Sequence, residues 1–296
     1  MNINSTEIVD TFAEAFEMWA SRMIITADSE RWAMAAARSV TGFATSIIGC
    51  KCEAGIEAIL DPQQTPDNRP GISVLLFATS ASGVGKRLVE RVGQCVMTCP
   101  TTACYDGLPD AAERAAVGSQ LRYFGDGYQI SKVLGGKRLW RVPVMDGEFL
   151  VEESFGVQPA VGGGNILVLG RDNSSTLAAA EAAVTAMRDI DGVILPFPDG
   201  VVRSGSKPSS KYKFLFVSTN DAYCPSLRGV VDGSQVADGA DCVYEIVIDG
   251  LDEKSVGDAM RVGMRAAANN GAMQISAGNY GGGLGKYQIG LHGLME

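Results

Sequence analysis

The chain has 296 residues, 46% hydrophobic and 20% charged, enough to bury a sizeable core and to build two lobes or domains. A formal net charge of −9 with no long basic run excludes a nucleic-acid surface. Seven cysteines, an odd number scattered along the chain, argue against a disulfide framework and for a reducing, cytoplasmic compartment.

At the N-terminus, Glu7, Asp10 and Glu14 stand where a signal peptide would need a basic and then an apolar run, and no apolar segment approaches the ~18 residues of a membrane span. Thr11 to Trp19 reads as a short helix capped by Asp10 or Thr11, and Met23 to Thr26 as a short strand. Asp28 and Ser29 can cap the next helix, on which Trp32, Ala36 and Val40 follow i, i+4 spacing until Gly42 ends it. Phe43 to Ile48 is expected as a second strand, followed by a short helical piece after Cys50-Lys51-Cys52. Prolines and Asx residues make Asp61 to Gly71 a loop. Ile72 to Phe77 reads as a strand, Val84, Leu88 and Val92 mark a helix, and Cys95 to Thr98 the strand after it.

Ile130 to Leu134, Gly135-Gly136 and Lys137 to Val142 predict a β-hairpin with a two-residue turn. Beyond it come a strand at Asn165 to Leu169, an alanine-rich helix at Thr176 to Met187 and a strand at Gly192 to Leu195. Val243 to Ile248, Ser255 to Ala268 and Ala272 to Ser276 repeat strand, helix and strand. The recurring pattern predicts an α+β fold of two ferredoxin-like, split βαβ lobes related by pseudo-symmetry, with the hairpin region inserted. Residue matches between the halves are few, so this is a structural duplication. The boundary falls near Met145 to Phe155, giving lobes 1–149 and 150–296. A cleft between such lobes is a common place for a ligand.

Cys242 to Asp249 carries the most informative residue. Cys242, Tyr244, Ile246 and Ile248 point one way along this strand, and Val243, Glu245, Val247 and Asp249 the other. A strand apolar on both faces is usually covered on both, here by helices on one and a second lobe on the other. Glu245 then loses hydration, its pKa rises, and it can donate a proton near neutral pH. The other reading is that this face is wet and Glu245 solvates it.

Much other chemistry is missing. His292 is the single histidine, so a Ser-His-Asp or Cys-His site would have to use it. Cys95, Cys99 and Cys104 lack zinc-ribbon spacing, and no metal site is expected. Gly83-Val84-Gly85-Lys86 and Gly285-Lys286 do not complete a P-loop. There remain loops rich in glycine, amide and hydroxyl groups: Gly162-Gly163-Gly164-Asn165, Pro196-Phe197-Pro198-Asp199-Gly200, Ser204-Gly205-Ser206-Lys207 and Gly278-Asn279-Tyr280 through Lys286. Backbone N–H groups beside a lysine suit a carboxylate or phosphate, although glycine-rich turns also arise for structural reasons alone.

Several segments, taken together, carry a resemblance. They are Asp10-Thr11-Phe12-Ala13-Glu14-Ala15-Phe16, Thr41-Gly42-Phe43-Ala44-Thr45-Ser46, Gly93-Gln94-Cys95-Val96 and Phe124-Gly125-Asp126-Gly127. Further on come Pro196-Phe197-Pro198, Ser204-Gly205-Ser206-Lys207, Val243-Tyr244-Glu245-Ile246-Val247-Ile248 and Ser276-Ala277-Gly278-Asn279-Tyr280-Gly281-Gly282. In this order, from residue 10 to the C-terminus, they resemble the formylmethanofuran:tetrahydromethanopterin N-formyltransferases.

The resemblance implies two ferredoxin-like lobes, a homotetramer, and transfer of a formyl group between the amine of methanofuran and N5 of tetrahydromethanopterin. Both coenzymes would be substrates, with no metal and no bound prosthetic group. It places the family's catalytic glutamate on Glu245. The coenzyme contacts are expected at Gly163, Gly164, Asn165, Pro196, Phe197, Ser204, Gly205, Ser206, Lys207, Asn279, Tyr280 and Lys286. Departures at Asp199, Arg203 and Gly283, where many archaeal members have glycine, alanine and lysine, rearrange charge in these loops and leave the furan or pterin variant open. The 20% charged content resembles mesophilic members, which fits a methylotrophic bacterium and a partnership with a formyl hydrolase. The alternative implied function is a non-catalytic subunit that keeps the coenzyme grip as a scaffold.

Overall fold

The structure, a computed structural model, describes residues 1–296. In chain order its first elements are β1 (Asn2–Ile3), β2 (Thr6–Ile8), β3 (Phe12–Thr26), α1 (Glu30–Thr41), α2 (Ile47–Cys50), β4 (Glu53–Leu60), β5 (Gly71–Ala78) and α3 (Ala81–Arg91). The middle holds β6 (Ala103–Asp106), β7 (Glu113–Ala116), α4 (Gly118–Leu121), β8 (Ile130–Leu134), β9 (Lys137–Val144), β10 (Gly147–Glu152) and β11 (Ser154–Gly170). The last third holds α5 (Asn173–Met187), β12 (Val193–Ile194), β13 (Cys242–Gly250), α6 (Glu253–Asn269), β14 (Gln274–Ser276) and β15 (Tyr287–Gly290). The chain forms two compact units, Met18–Ala160 and Met1–Glu17 with Val161–Glu296.

In the Met18–Ala160 unit the strands run β4-β5-β3-β6-β10-β9-β8. β5 is buried along its whole length, as a central strand covered on both faces must be. Ile72, Val74 and Leu76 meet Ala33, Ala36, Ala37 and Val40 of α1 and Val84 and Leu88 of α3 in one core. Burying each large side chain of this set stabilises the fold by roughly 1.5–3 kcal/mol. The predicted hairpin is present: Leu134 pairs with Lys137, and Gly135 and Gly136 take positive φ values of 56° and 81°, which such a turn requires.

In the other unit the order is β1-β2-β14-β11-β13-β12. Helices α5 and α6 cover one face of this sheet, where Ala179, Ala180, Ala183, Met260 and Met264 pack on Ile166, Val168, Ile246 and Ile248. Both helices start on aspartates: Asp172 accepts from the Ser175 N–H at 2.9 Å and Asp252 from that of Ser255 at 2.7 Å. Each such cap is worth about 1 kcal/mol. β15 pairs with Phe12–Ala15 of β3.

Four expectations need correction. Thr11 to Trp19 is not helical but the first half of the fifteen-residue β3, because pairing with β15 and β5 outweighs the helix propensity of its Ala and Glu residues. Phe43 to Ile48 is not a strand: it is a turn that leads into α2, with Phe43 at φ 50° and 81% exposed. Arg91 holds that turn by donating to the Val40, Gly42 and Phe43 carbonyls. The second strand is instead Glu53–Leu60, where a helical piece was expected; its ladder with β5 overrides Glu, Ala and Leu propensities. Cys95 to Thr98 continues α3 through a π-helical turn at Val92–Val96, and the strand comes later, at Ala103–Asp106.

Candidate active site around Glu245

Four residues form one transverse row of the sheet. Glu245 pairs with Leu167 of β11, and Leu167 with Ser276 of β14. On the outer edge of β13, Val202 donates its N–H to the Glu245 carbonyl at 2.7 Å, and the Glu245 N–H returns to the Val202 carbonyl at 2.9 Å. Directly opposed residues point to the same face, so the Glu245 carboxyl stands on the face away from α5 and α6. That face is covered by the chain between β12 and β13: Val236 and Ala240, with Tyr223, pack on Leu167, Leu169 and Val243. The Tyr223 hydroxyl meets the Ser276 hydroxyl at 3.0 Å.

Glu245 is half-buried by surface area. Burial pushes its pKa up to about 7. Burial alone accounts for the rise. The carboxyl is thus poised to exchange a proton at neutral pH.

Tyr280 stands near it. Burial, and then the negative charges of Glu245 and Glu14, raise the Tyr280 pKa and keep the phenol neutral. Its hydroxyl donates to the Ser206 carbonyl at 2.9 Å, which joins the Ser204–Lys207 loop to the last glycine loop. Asn165 ties that loop from below: its Oδ1 accepts from the Gly278 N–H at 2.5 Å and its Nδ2 donates to the Gly278 carbonyl at 3.1 Å. Asn279 donates to the Thr11 hydroxyl at 3.0 Å and to the Phe12 carbonyl at 3.1 Å.

The expected contact residues therefore divide. Ser206 and Tyr280 are joined to each other, and electrostatics couples Tyr280 to Glu245. Gly163 donates its N–H to Asp249 at 2.9 Å and lies at a bulge in the β11–β13 ladder, with Gly164 and Asn165 on the strand beyond it. Pro196 and the half-buried Phe197 lie on the connection that leads to Val202, and the Gly200 N–H returns to the Phe197 carbonyl at 2.8 Å. Gly205 takes a φ of 52° in the loop after it. Lys207 is paired with Asp221 at 2.6 Å, and Lys286 with Glu17. The N–H groups of the last glycine loop, which in sequence suited a ligand anion, are also engaged: those of Tyr280, Gly282, Leu284 and Gly285 all donate to Glu14.

Sequence reasoning missed Glu14, Val202, Tyr223 and Ser276. Glu14 was hidden by the helical reading of its segment; its one signal was an acid amid the alanines and phenylalanines of Phe12–Phe16. A cavity of about 540 Å³ in the Met18–Ala160 unit, lined among others by Ser82, Lys86, Glu113 and Arg114, contains none of the expected site residues.

Residues 1–144 match the family model described as formylmethanofuran-tetrahydromethanopterin formyltransferase, and residues 147–294 match its proximal-lobe model. The chain belongs to the formylmethanofuran–tetrahydromethanopterin formyltransferase family. It is 55% identical over 299 residues to the formyltransferase of Methylococcus capsulatus, covering 100% of both chains. The formyltransferase structure from Methanosarcina barkeri superimposes with a TM-score of 0.95 at 46% identity, with 100% of both chains covered. A chain of the formyltransferase/hydrolase complex of Methylorubrum extorquens, solved with methylofuran, does so with a TM-score of 0.97 at 47% identity, covering 100% of this chain and 99% of that one. The mixed α/β, sheet-dominated fold is thus that of the formyltransferase family.

Proposed function

We infer that this chain transfers a formyl group between the primary amine of methanofuran and N5 of tetrahydromethanopterin, with Glu245 as the proton-transferring acid. The observation that carries the reading is a half-buried carboxyl with a pKa of about 7, placed mid-strand beside the Tyr280 and Ser206 loops. Family membership supplies the reaction class.

In the forward step the attacking amine forms a C–N bond to the formyl carbon, and a tetrahedral intermediate results. Its oxygen gains charge, and the departing nitrogen must gain a proton before the old C–N bond breaks. Neutral Glu245 gives that proton, and the resulting carboxylate recovers one from the nitrogen that attacked, so the enzyme ends each turnover unchanged. Tyr280, held neutral, keeps its hydroxyl on the Ser206 carbonyl and so ties the two loops together beside the acid. Holding two coenzymes against each other supplies the effective molarity, and no covalent enzyme intermediate is required. Gly163, Gly164, Asn165, Pro196, Phe197, Ser204, Gly205, Ser206, Lys207, Asn279, Tyr280 and Lys286 shape the coenzyme-binding surface. Lys207 and Lys286 meet anionic parts of the coenzymes by exchanging their present carboxylate partners.

Along the sequence the lobes divide as 1–149 and 150–296, which the two family models, at 1–144 and 147–294, support, while the compact units exchange Met1–Glu17 across that division. The orders β6-β3-β5-β4 and β14-β11-β13-β12, each with two helices on the sheet, support reading both as ferredoxin-like. The protein works in the cytoplasm as a homotetramer or beside a formyl hydrolase, as the Methylorubrum extorquens relative does in its complex. Strand β8 supports assembly: it is a sheet edge exposed along its length, with Ile130, Val133 and Leu134 outside. A scaffold subunit would have no use for a desolvated acid in the middle of a strand.

Glu245→Gln keeps size and polarity but cannot supply a proton. Turnover of the purified chain with formyl-tetrahydromethanopterin and methanofuran should fall by ~10²–10⁴, with little change in coenzyme affinity. Turnover within about threefold of the unmodified enzyme would overturn the assignment.

A further inference from the structure

We propose that Glu14 is a positioning residue for formyl transfer, a carboxylate clip that fixes the Tyr280 loop beside Glu245. The inference rests on the role given above to Glu245 and to the Tyr280 loop. Glu14 lies on β3 opposite Gln288 of β15, and only 1% of it is exposed. Its Oε2 accepts from the N–H groups of Tyr280 at 2.7 Å and Gly282 at 3.1 Å. Its Oε1 accepts from those of Leu284 and Gly285, each at 2.5 Å. A ring of backbone N–H groups converging on one anion is the arrangement with which proteins bind phosphate or carboxylate ligands. Here the anion is the protein's own.

Burial alone would raise the Glu14 pKa, but hydrogen bonds from Gly285, Tyr280, Leu284 and Gly282 outweigh it, and the net shift is downward. The group is therefore ionised at neutral pH, and its four bonds are charge-assisted. Beside this clip the loop is held by single bonds, among them one from Gln288 Nε2 to the Gly282 carbonyl at 3.2 Å and the Lys286–Glu17 pair. Gly281 and Gly282 are left-handed, at φ 77° and 73°, and Leu284 is exposed. Its shape rests on polar tethers: Glu14 to the four N–H groups, Asn279 to Thr11 and Phe12, and Asn165 to Gly278.

Tyr280 is consequently fixed at two points, its N–H on Glu14 and its hydroxyl on the Ser206 carbonyl. The first sets the backbone and the second the ring, and between them the phenol is aimed beside Glu245. Strand β3 itself does not depend on Glu14, since Ala13 and Ala15 are buried in the core and the β15 ladder continues on either side. Loss of the clip should disturb the loop and spare the sheet.

The test uses the purified full-length chain. Glu14→Gln turns one acceptor oxygen into an amide donor facing N–H groups. Its kcat/KM for formyl transfer should fall at least tenfold, and amide hydrogen exchange at Tyr280, Gly282, Leu284 and Gly285 should quicken while that of β13 stays slow. In a Tyr280→Ala background the same change should cost less than twofold, because the clip acts through Tyr280. Losses that simply multiply, or unchanged exchange in the loop, would overturn the proposal. Where Glu14→Gln does not fold, Glu14→Asp, which keeps the charge on a stem one methylene shorter, is read in the same three ways. A Glu14→Gln enzyme within twofold of the unmodified one, beside an inactive Glu245→Gln, sinks this inference alone. An active Glu245→Gln sinks the formyl-transfer mechanism beneath it.

Discussion

The hydroxyl of Tyr280 and the carbonyl of Ser206 meet at 2.9 Å, although 74 residues of chain separate them. This bond joins two loops that hang from different strands, one after β14 and one after the Val202 bridge to Glu245. The acid and its two neighbouring loops are thereby mounted on a single sheet, in which β11 lies between β13 and β14, and the strands set the geometry of the connections.

In the general-acid role proposed for it, Glu245 must be protonated to work. With a pKa of about 7, raised by burial, the rate of the acid-dependent step should fall as pH rises through that value. The limb should vanish in Glu245→Gln. A kcat profile that is flat from pH 6 to pH 9 in the unmodified enzyme would show that another group donates the proton.

Lys207 and Asp221 form a partly exposed pair, and such pairs are weak because water screens them. In the proposed complex a coenzyme carboxylate takes the lysine in exchange. Lys207→Met should raise the KM for one coenzyme more than it lowers kcat, the mark of lost uniform binding. If both KM values stay within twofold, Lys207 serves only to hold the Ser204–Lys207 loop to Asp221.

Two glycines of the Gly278–Lys286 loop should differ sharply. A Cβ at Gly285 would sit 2.5 Å from the Ala15 carbonyl oxygen and 2.8 Å from Glu14 Cγ, whereas one at Gly283 meets nothing within 4 Å. Gly285→Ala should destabilise the protein by about 1–3 kcal/mol, since backbone must move. Gly283→Ala should stay within about 0.5 kcal/mol. Thermal unfolding of the two variants side by side decides the matter.

Strand β8 offers an assembly test. Val133 is 55% exposed and Leu134 49%, on a strand whose outer edge has no partner in the chain. Val133→Lys with Leu134→Lys should shift light-scattering mass toward the monomer without unfolding the chain. A fully active monomer in the unmodified protein would remove the reason for the experiment.

The parts of this fold that were legible in sequence are those whose local chemistry agrees with their environment. Helices α1, α3, α5 and α6, the Gly135-Gly136 hairpin, and strands β5 and β13 all carry periodicity, caps or turn residues that match what tertiary structure requires. The failures lie where pairing overruled propensity. Phe12–Trp19 and Glu53–Leu60 are rich in Ala and Glu, yet each lies in a ladder whose partner is remote in sequence. Cys95 to Thr98 reads as a strand, but Cys95 and Val96 complete the π-helical turn after α3. Glu245 was visible because a carboxylate among valines and isoleucines stands out. Glu14 was not, because its meaning depends on four N–H groups more than 260 residues away.

The chain between β12 and β13 leaves the sheet after Val202 and returns at Asp241, whose N–H donates to the Gly170 carbonyl at 2.9 Å. Both ends of this excursion are therefore pinned to the strands that carry and flank Glu245. Loop-closure entropy grows only slowly with length, by about 0.6 kcal/mol for each doubling. Insertions and substitutions within the excursion can then accumulate at small thermodynamic cost while the acid beneath keeps its place. A lineage that meets a differently decorated coenzyme has in this segment room to change, away from Ser206, Tyr223, Val236 and Ala240, which anchor Tyr280 and cover the strands beside Glu245.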